Sequence, residues 1–282
     1  MSDQEFNGRP FSLGIYLIIV FALTWPFQIA YVIWGKTQLL SYGLSSLSMI
    51  MVTVGTFIAG RYIFKDSLAD AGWRWGKPAH YLGVIGFAAL LWFVPTSAGF
   101  LLGSYSWPAG LVLSQVVLLF LLRFVATLIP AFGEEFGWRG YLLPRLAQSY
   151  SPRKAVLLQS FIWWAWHIPA IIGIGLQQGG KVNELVTVMA VIIITLIPGA
   201  MHAVIFAFIW AKSQSLAVAS VYHSAYDEIR DTMERTTGMV PITEVWTNLL
   251  IMTVGIILLL KADWKDLLAN KTDRLGRFSR LL

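Results

Sequence analysis

Two adjacent carboxylates and one guanidinium stand out in the segment Gly-Glu-Glu-Phe-Gly-Trp-Arg-Gly, residues 133–140. Glu134, Glu135 and Arg139 follow the almost uncharged run 111–132. An ionisable group at membrane depth costs several kcal/mol, roughly 2.5 to 3.5 on insertion scales, and indicates a functional site. Glu135 and Arg139 are four residues apart and can pair on one helical face, whereas Glu134 is turned about 100° away. We therefore expect a supporting ion pair beside a carboxylate that is free for chemistry, with a purely structural pair as the alternative.

Glu134 and two histidines lie at similar depth from the same ends of their predicted helices. Glu134 is roughly 15 Å from the expected helix stop at Pro144, at about 1.5 Å per residue. By the same arithmetic, His167 lies roughly 18 Å from Ala155, where its span begins, and His223 lies roughly 16 Å from Lys212. Scattered structural residues have no reason to share a depth, so we expect these three to meet, although each histidine alone is as readily explained by helix packing.

Carboxylate and imidazole groups in one site predict hydrolytic chemistry. A carboxylate with a histidine can activate water as a general base, and a second histidine can stabilise the oxyanion that forms when water attacks a carbonyl. His223 and Asp227 share a helical face because they are four residues apart, and Trp163 and His167 repeat that spacing. We interpret His202 as structural, because it lies beside a predicted helix break.

Zinc binding is the competing interpretation of this cluster. One glutamate and two histidines from three helices could hold the ion, but the His-Glu-x-x-His helix motif is absent from the sequence. The chain has no cysteine, which excludes disulfides, thiolate catalysis and Cys-ligated metal. We therefore expect no metal and no other cofactor.

The composition is that of a membrane protein. Of the 282 residues, 57% are hydrophobic and only 13% are charged, whereas soluble domains carry about 25% charged residues. Apolar stretches of 18 or more residues recur along the chain. We predict an all-α polytopic membrane protein with about eight transmembrane helices, forming a single domain over residues 1–282. The net charge of +6 does not indicate a nucleic-acid partner, because the basic residues sit in short loops between apolar runs.

The expected spans in chain order are about residues 13–34, 44–60, 81–103, 110–144, 155–175, 185–211, 215–229 and 245–260. We expect Pro144 to end the fourth span and Pro198-Gly199 to interrupt the sixth. Most lysines and arginines fall in the segments on the side of the two termini, so the positive-inside rule predicts that both termini are cytoplasmic. The basic tail, residues 261–282, is expected either to lie on the membrane as an amphipathic helix or to be solvated.

Three motifs in order carry a family resemblance, namely Glu134-Glu135-x-x-x-Arg139, Trp163-x-x-x-His167 and His223-x-x-x-Asp227. Over about residues 132–227 the chain resembles the CAAX protease and bacteriocin-processing family of intramembrane proteases, also called CPBP or Abi. The resemblance implies an eight-helix fold and a glutamate-dependent, metal-independent peptidase.

The resemblance also implies roles for the motif residues. Glu134 with His167 would activate water, and His223 with the residue at position 227 would form the oxyanion hole. The second glutamate and the arginine of the first motif would shape the site or hold the substrate.

Two positions depart from the family pattern. Trp163 stands where the family usually has Phe, and we expect the larger ring to narrow the pocket and contact the substrate. Asp227 stands where Asn is frequent, and because an ionised Asp cannot donate to an oxyanion, it would have to be protonated or to orient His223.

The leading hypothesis is an intramembrane endopeptidase that cuts a membrane-associated peptide or lipidated protein near the cytoplasmic face. The family trims prenylated C-termini in eukaryotes, and its bacterial members act in bacteriocin maturation, self-immunity and peptide-signal processing. Two alternatives come from other classes: a non-catalytic immunity or scaffold protein that binds a peptide, and a proton-coupled transporter, since membrane Glu and His also form proton relays. We expect an integral, multi-pass protein in the plasma membrane of a prokaryote.

Overall fold

The computed structural model describes residues 10–103, 108–178, 183–237, 240–265 and 267. The regular secondary structure of these residues is entirely helical, which confirms the all-α prediction. The α-helices are α1 (Leu13–Trp34), α2 (Gln38–Phe57), α3 (Pro78–Leu101), α4 (Leu113–Glu135), α5 (Leu143–Ser149), α6 (Pro152–Trp166), α7 (Ile168–Gln178), α8 (Glu184–Ser213), α9 (Leu216–Thr237) and α10 (Val240–Lys261). Two π-helical segments, Ile58–Ile63 and Phe136–Leu142, extend α2 and join α4 to α5.

The helices confirm a polytopic membrane protein. Within the described residues, six helical segments are long and apolar enough to cross a membrane, and a seventh is added if the bent pair α6 and α7 forms one span. The remaining long helix, α9, carries several charged side chains and is not apolar enough to count among these spans. The predicted count of about eight spans and the cytoplasmic termini stay predictions.

Two predicted helix breaks are wrong. Pro144 does not end the fourth span, because it lies in the first turn of α5, where its missing N–H is not needed, and the helix runs on to Ser149. Pro198-Gly199 does not interrupt α8, which is continuous from Glu184 to Ser213. A Cβ on Gly199 would lie 2.9 Å from a ring carbon of Trp164, so the glycine makes room for α6 within an unbroken helix.

The motif helix α4 packs against α2 on one side and α9 on the other, while α1 covers α2 and α3 covers α9. The long helix α8 packs against α6, α7 and α10. The three motif-bearing elements α4, α6 and α9 are therefore held around a common interior by helices from the whole chain.

The motif glycines allow α2 to approach the motif segment closely. A Cβ on Gly137 would lie 2.3 Å from Val52 Cγ1 and 2.8 Å from Thr56 Oγ1. Tyr16 donates a hydrogen bond to the Gly137 carbonyl at 3.0 Å. Only a residue without a side chain fits here, so this contact fixes the position of the segment that follows Glu134. The segment is π-helical, a geometry that is frequent at functional sites.

Arg123, the cation inside the fourth span, is neutralised by α9. Its Nε donates to Glu228 at 2.6 Å and its Nη2 lies 3.3 Å from Asp231. Glu228 also accepts a 2.5 Å hydrogen bond from Thr127. These contacts give the charges of α9 partners at the α4 interface, so the weakly apolar helix is stabilised within the bundle.

One end of the bundle, here called the terminal face, gathers the start of α1, the segment 64–77, the junctions α5–α6 and α8–α9, and the end of α10. Phe11 stacks near Phe64 with ring centroids 5.4 Å apart. Arg153 donates to the carbonyl of Leu259 at 3.1 Å, and Leu216 donates to Gly72 at 2.9 Å. The described parts of the basic segments that we expect in the cytoplasm therefore lie together on this face.

The tail prediction falls almost wholly outside the described residues. Trp264 and Leu267 are buried, and Trp264 donates to the carbonyl of Leu258 at 3.2 Å. The start of the tail therefore folds back on α10, and the amphipathic-helix expectation for the rest stays a prediction.

Candidate active site

A cavity of about 250 Å³ is lined by residues of α1, α2, α4, α6, α7, α8 and α9. It collects most of the polar residues that the motifs singled out, together with one that we interpreted as structural: Glu134, Trp163, His167, His202, His223 and Asp227. Three helices therefore bring Glu134, His167 and His223 to one cavity. The Glu135–Arg139 pair lies behind this wall and is fully buried.

Glu134 is held by an aromatic donor. Its side chain is 1% exposed, and Oε1 accepts a hydrogen bond from Nε1 of Trp163 at 2.5 Å. Oε2 has no hydrogen-bond partner among the described residues, so one oxygen is fixed and the other remains available. No partner of Glu134 could be predicted from its own helix, because the donor comes from α6. The Phe that usually occupies this motif position could not donate.

Glu135 joins two of the motifs. Its Oε1 lies 3.0 Å from Nη1 of Arg139, as the spacing predicts, and 2.9 Å from Nδ1 of His223. The guanidinium of Arg139 lies over Phe206, 4.4 Å from the ring centroid. The second carboxylate of the first motif therefore positions the histidine of the third motif, a contact across 88 residues that spacing within one helix cannot reveal.

His223 has a carboxylate facing each ring nitrogen. Besides the contact of Nδ1 with Glu135, its Nε2 lies 3.4 Å from Oδ2 of Asp227. Oδ1 of Asp227 in turn lies 3.2 Å from Nη1 of Arg230. Asp227 is thus surrounded by donors and acts as an acceptor, which fits an orienting role for His223 better than donation to an oxyanion.

His167 stands at the bend between α6 and α7, where the two helix axes differ by 48°. Its Nδ1 lies 2.8 Å from the carbonyl of Trp163, and its ring packs edge-on against Trp163 and Trp166 at 4.4 and 4.6 Å. Because a carbonyl only accepts, this contact assigns the proton to Nδ1 and leaves Nε2 of the neutral ring as an acceptor.

His202 also lines the cavity, and our interpretation of it as structural stays a prediction. Its Nε2 lies 3.0 Å from the hydroxyl of Tyr222, and its ring centroid is 4.2 Å from that of Tyr226. The helix break that suggested a structural role does not exist. Among the histidines of the apolar runs, His202 was the only one outside the three motifs. Its place inside an apolar run was therefore the only sign in the sequence that it could belong to the site.

The comparisons with known proteins agree with the three motifs. Residues 114–229 match the sequence model of a family described as Type II CAAX prenyl endopeptidase Rce1-like. A protein named CAAX prenyl protease 2 from Methanococcus maripaludis is 45% identical over 56 residues, which is 20% of this chain and 19% of that protein. The matched stretch thus spans about a fifth of that relative. Residues 114–229 form an Rce1-like segment. The family resemblance read from the motifs is confirmed.

The Rce1-like segment accounts for only part of the cavity wall. It contains α4, α6, α7, α8 and most of α9, with all the motif residues. The opposite wall comes from α1 and α2, which contribute Gln28, Tyr31, Ser45 and Ser48. In the sequence these are ordinary polar residues within apolar runs, and nothing in their spacing pointed to the site.

A metal-ligand arrangement exists at the rear of the Rce1-like site. Ligand atoms of Glu134, Glu135 and His223 all lie within 4.8 Å of one another, and carboxylate and imidazole groups are suitable zinc ligands. The Oε1 atom of Glu135, however, already contacts both the Arg139 guanidinium and His223. A cation bound there would have to compete with the arginine, so the donor set fits zinc poorly.

Proposed function

We propose that the chain is an intramembrane endopeptidase in which Glu134 and His167 activate a water molecule. The observation that supports this proposal most strongly is the convergence of Glu134, His167 and His223 on one cavity inside a membrane-spanning bundle. General bases and oxyanion donors must lie within hydrogen-bond reach of one reacting carbonyl. A carboxylate and two imidazoles from three helices line the cavity, and these are the groups that the two roles need.

The two water-activating groups are hydrogen-bond acceptors, and each is held in place by a different contact. Glu134 presents Oε2 while Trp163 holds Oε1, and His167 presents Nε2 while Nδ1 faces a carbonyl. Water held between them adds to the carbonyl carbon of the substrate, and its proton passes to the carboxylate. The same proton then moves to the leaving nitrogen as the C–N bond breaks.

His223 is the proposed oxyanion donor. Its Nε2 lies 3.4 Å from Asp227, which is longer than the 2.7 to about 3.2 Å of a well-formed N–H···O bond. The N–H can therefore turn its hydrogen bond toward an oxyanion without breaking a strong contact. Glu135 keeps the ring in place through Nδ1, and Asp227 orients the reacting nitrogen.

The proposed substrate is a membrane-associated peptide or protein with a prenylated C-terminus. The name of the Methanococcus maripaludis relative supports this class, as does the match to an Rce1-like segment. The cavity lies among apolar helices, so a lipid anchor would keep such a substrate in the bilayer beside the site.

Cleavage of a defined peptide tests the proposal. A farnesylated peptide ending in a CAAX sequence is incubated with the purified protein in liposomes, beside its unprenylated form, and the released fragment is quantified. Glu134→Gln and His167→Ala should each lower kcat by about 10²- to 10⁴-fold, the usual contribution of a general base. His223→Ala should cost about 10²- to 10³-fold, the usual loss of an oxyanion donor. The matched control is His80→Ala, because His80 lies in the first turn of α3 and outside the cavity.

Three outcomes separate the alternatives. Full cleavage by Glu134→Gln would exclude the proposed mechanism. Binding of the peptide without cleavage by the wild type would favour a non-catalytic peptide-binding protein. Cleavage that is lost with a chelator and restored by zinc would favour the second candidate, a zinc peptidase using Glu134, Glu135 and His223, which is suggested by the closeness of their ligand atoms.

A further inference from the structure

Gln28, on the cavity wall that faces the motifs, has a buried carbonyl oxygen to which no described residue donates a hydrogen bond. It lies on α1, is 4% exposed, and lines the same cavity as Glu134 and His167. Its Oε1 has no hydrogen-bond partner among the described residues. The mechanism described above does not use it, and it lies outside the Rce1-like segment.

The position of Gln28 is fixed by contacts one turn away. Thr24 accepts a 2.8 Å hydrogen bond from Nε1 of Trp166, and Trp25 donates to the carbonyl of Trp166 at 3.0 Å. Gln28 is four residues beyond Thr24, on the same face of α1. Because Trp166 directly precedes His167, these contacts hold α1 beside the proposed water-activating group.

An unpaired buried amide is costly unless something else binds it. Leaving a buried polar group without a partner costs about 1 to 3 kcal/mol, so an apolar side chain would serve better if Gln28 only filled space. An amide offers both a donor and an acceptor, which matches the N–H and C=O groups of a peptide backbone. A neutral amide also adds no charge beside Glu134 and His167.

We propose that Gln28 is a substrate-binding residue that hydrogen-bonds the peptide backbone of the substrate next to the scissile bond. This inference rests on the proposed peptidase function. It assigns the substrate to the space between the α1–α2 wall and the motif helices. Recognition of main-chain groups is independent of substrate side chains, so Gln28 would hold the peptide in place, while side-chain specificity would come from other parts of the wall.

Binding to an inactive variant tests the inference without requiring turnover. The farnesylated CAAX peptide is titrated in detergent against Glu134→Gln and against Glu134→Gln/Gln28→Met, and Kd is measured. The same titrations are repeated with the unprenylated peptide. Met keeps the length of Gln without its hydrogen-bonding groups. Gln28→Met should weaken binding about fivefold, the effect of one neutral hydrogen bond. In the active protein it should raise KM by the same factor and leave kcat within about twofold.

The control is Gln159→Met on α6. Gln159 is also fully buried, with both amide atoms unpaired, but it does not line the cavity. It should leave Kd and KM unchanged, so a general effect of removing a buried amide is separated from loss of binding. Gln28→Asn, which keeps a shorter amide, should bind with intermediate affinity.

Two results would overturn the inference. Unchanged binding and KM in Gln28→Met would show that the amide does not contact the peptide, and equal weakening in Gln159→Met would assign the effect to stability. Absence of cleavage by the wild type with intact binding would instead contradict the proposed function and leave the role of Gln28 in binding standing.

Discussion

Trp163 stands where the second motif usually has Phe, and this difference adds a hydrogen-bond donor to the site. Its Nε1 donates to Glu134 at 2.5 Å, and this contact holds the carboxylate that we assign as the base. Trp163→Phe keeps an aromatic ring and removes the donor. Because a hydrogen bond to a charged group contributes about 1.5 to 3 kcal/mol, we expect kcat to fall by about tenfold or more, with KM little changed.

The control for this prediction is the neighbouring residue. Trp164 donates to Thr195 at 3.3 Å and does not line the cavity, so Trp164→Phe removes a comparable donor outside the site. Steady-state kinetics of both variants on the farnesylated peptide measure the difference. Equal losses in the two variants would contradict a specific role for the contact with Glu134.

Asp227 provides the second residue-scale prediction. Its carboxylate lies 3.4 Å from Nε2 of His223 and 3.2 Å from Nη1 of Arg230, so an oxygen atom suits its position. Asp227→Asn keeps that oxygen and should retain kcat within about tenfold, whereas Asp227→Leu should lose about 10²-fold because His223 is no longer oriented. Measured kcat values that are equally low for Asn and Leu would show that the negative charge itself is needed.

Helical periodicity predicted the contacts within helices and none of those between helices. The pairs Glu135–Arg139 and His223–Asp227 are four residues apart, and both meet in the structure. The contacts of Glu135 with His223 and of Trp163 with Glu134 depend on how α4, α6 and α9 pack. Depth predicted that these helices would meet but not which atoms would touch.

At the scale of elements, the close approach of α2 to the motif segment depends on Gly137. Gly137→Ala places a Cβ at 2.3 Å from Val52 and 2.8 Å from Thr56, so either the helices separate or side chains move. Overpacking of this kind costs about 1 to 3 kcal/mol. We expect a lower Tm in detergent and a loss of activity, because the displaced segment directly follows Glu134.

Gly86→Ala serves as the matched control on α3. A Cβ on Gly86 has no atom within 4 Å, and a helical alanine is favoured over glycine by about 0.5 to 1 kcal/mol. Its Tm should be unchanged or higher. A Gly137→Ala protein that is as stable and active as Gly86→Ala would show that α2 can yield without cost.

Apolar runs predicted where the helices lie but not where they bend or continue. Proline signals were the least reliable, since Pro144 begins α5 and Pro198 sits inside the unbroken α8. In a bundle, neighbouring helices and π-helical turns accommodate proline, so its local preference is overridden. The α1–α2 wall of the cavity had no sequence signal because Gln28 and Ser45 become part of a site only through packing.

For the whole molecule, the position of the cavity and the distribution of charge make a joint prediction. The cavity reaches Tyr31 near the end of α1, Ser45 near the start of α2 and Arg230 in the second half of α9. All three positions lie away from the terminal face. If the terminal face is cytoplasmic, as the positive-inside rule predicts, the cavity opens toward the opposite side of the membrane. This differs from our expectation of cleavage near the cytoplasmic face.

Cysteine labelling decides which face holds the opening. The chain contains no cysteine, so a single introduced thiol reports its own side. Ser45→Cys lies at the cavity and Ser151→Cys at the terminal face, and both positions are exposed. In intact cells, a membrane-impermeant maleimide should label Ser45→Cys at once and Ser151→Cys only after permeabilisation.

The reverse labelling pattern would place the terminal face outside and the cavity toward the cytoplasm, against the charge distribution. That result would give a cytoplasmic prenylated protein direct access to Glu134. The expected pattern instead requires that the substrate come from the outer side or enter between helices from the bilayer. The side of the membrane on which Ser45→Cys reacts therefore limits the substrates that can reach the site.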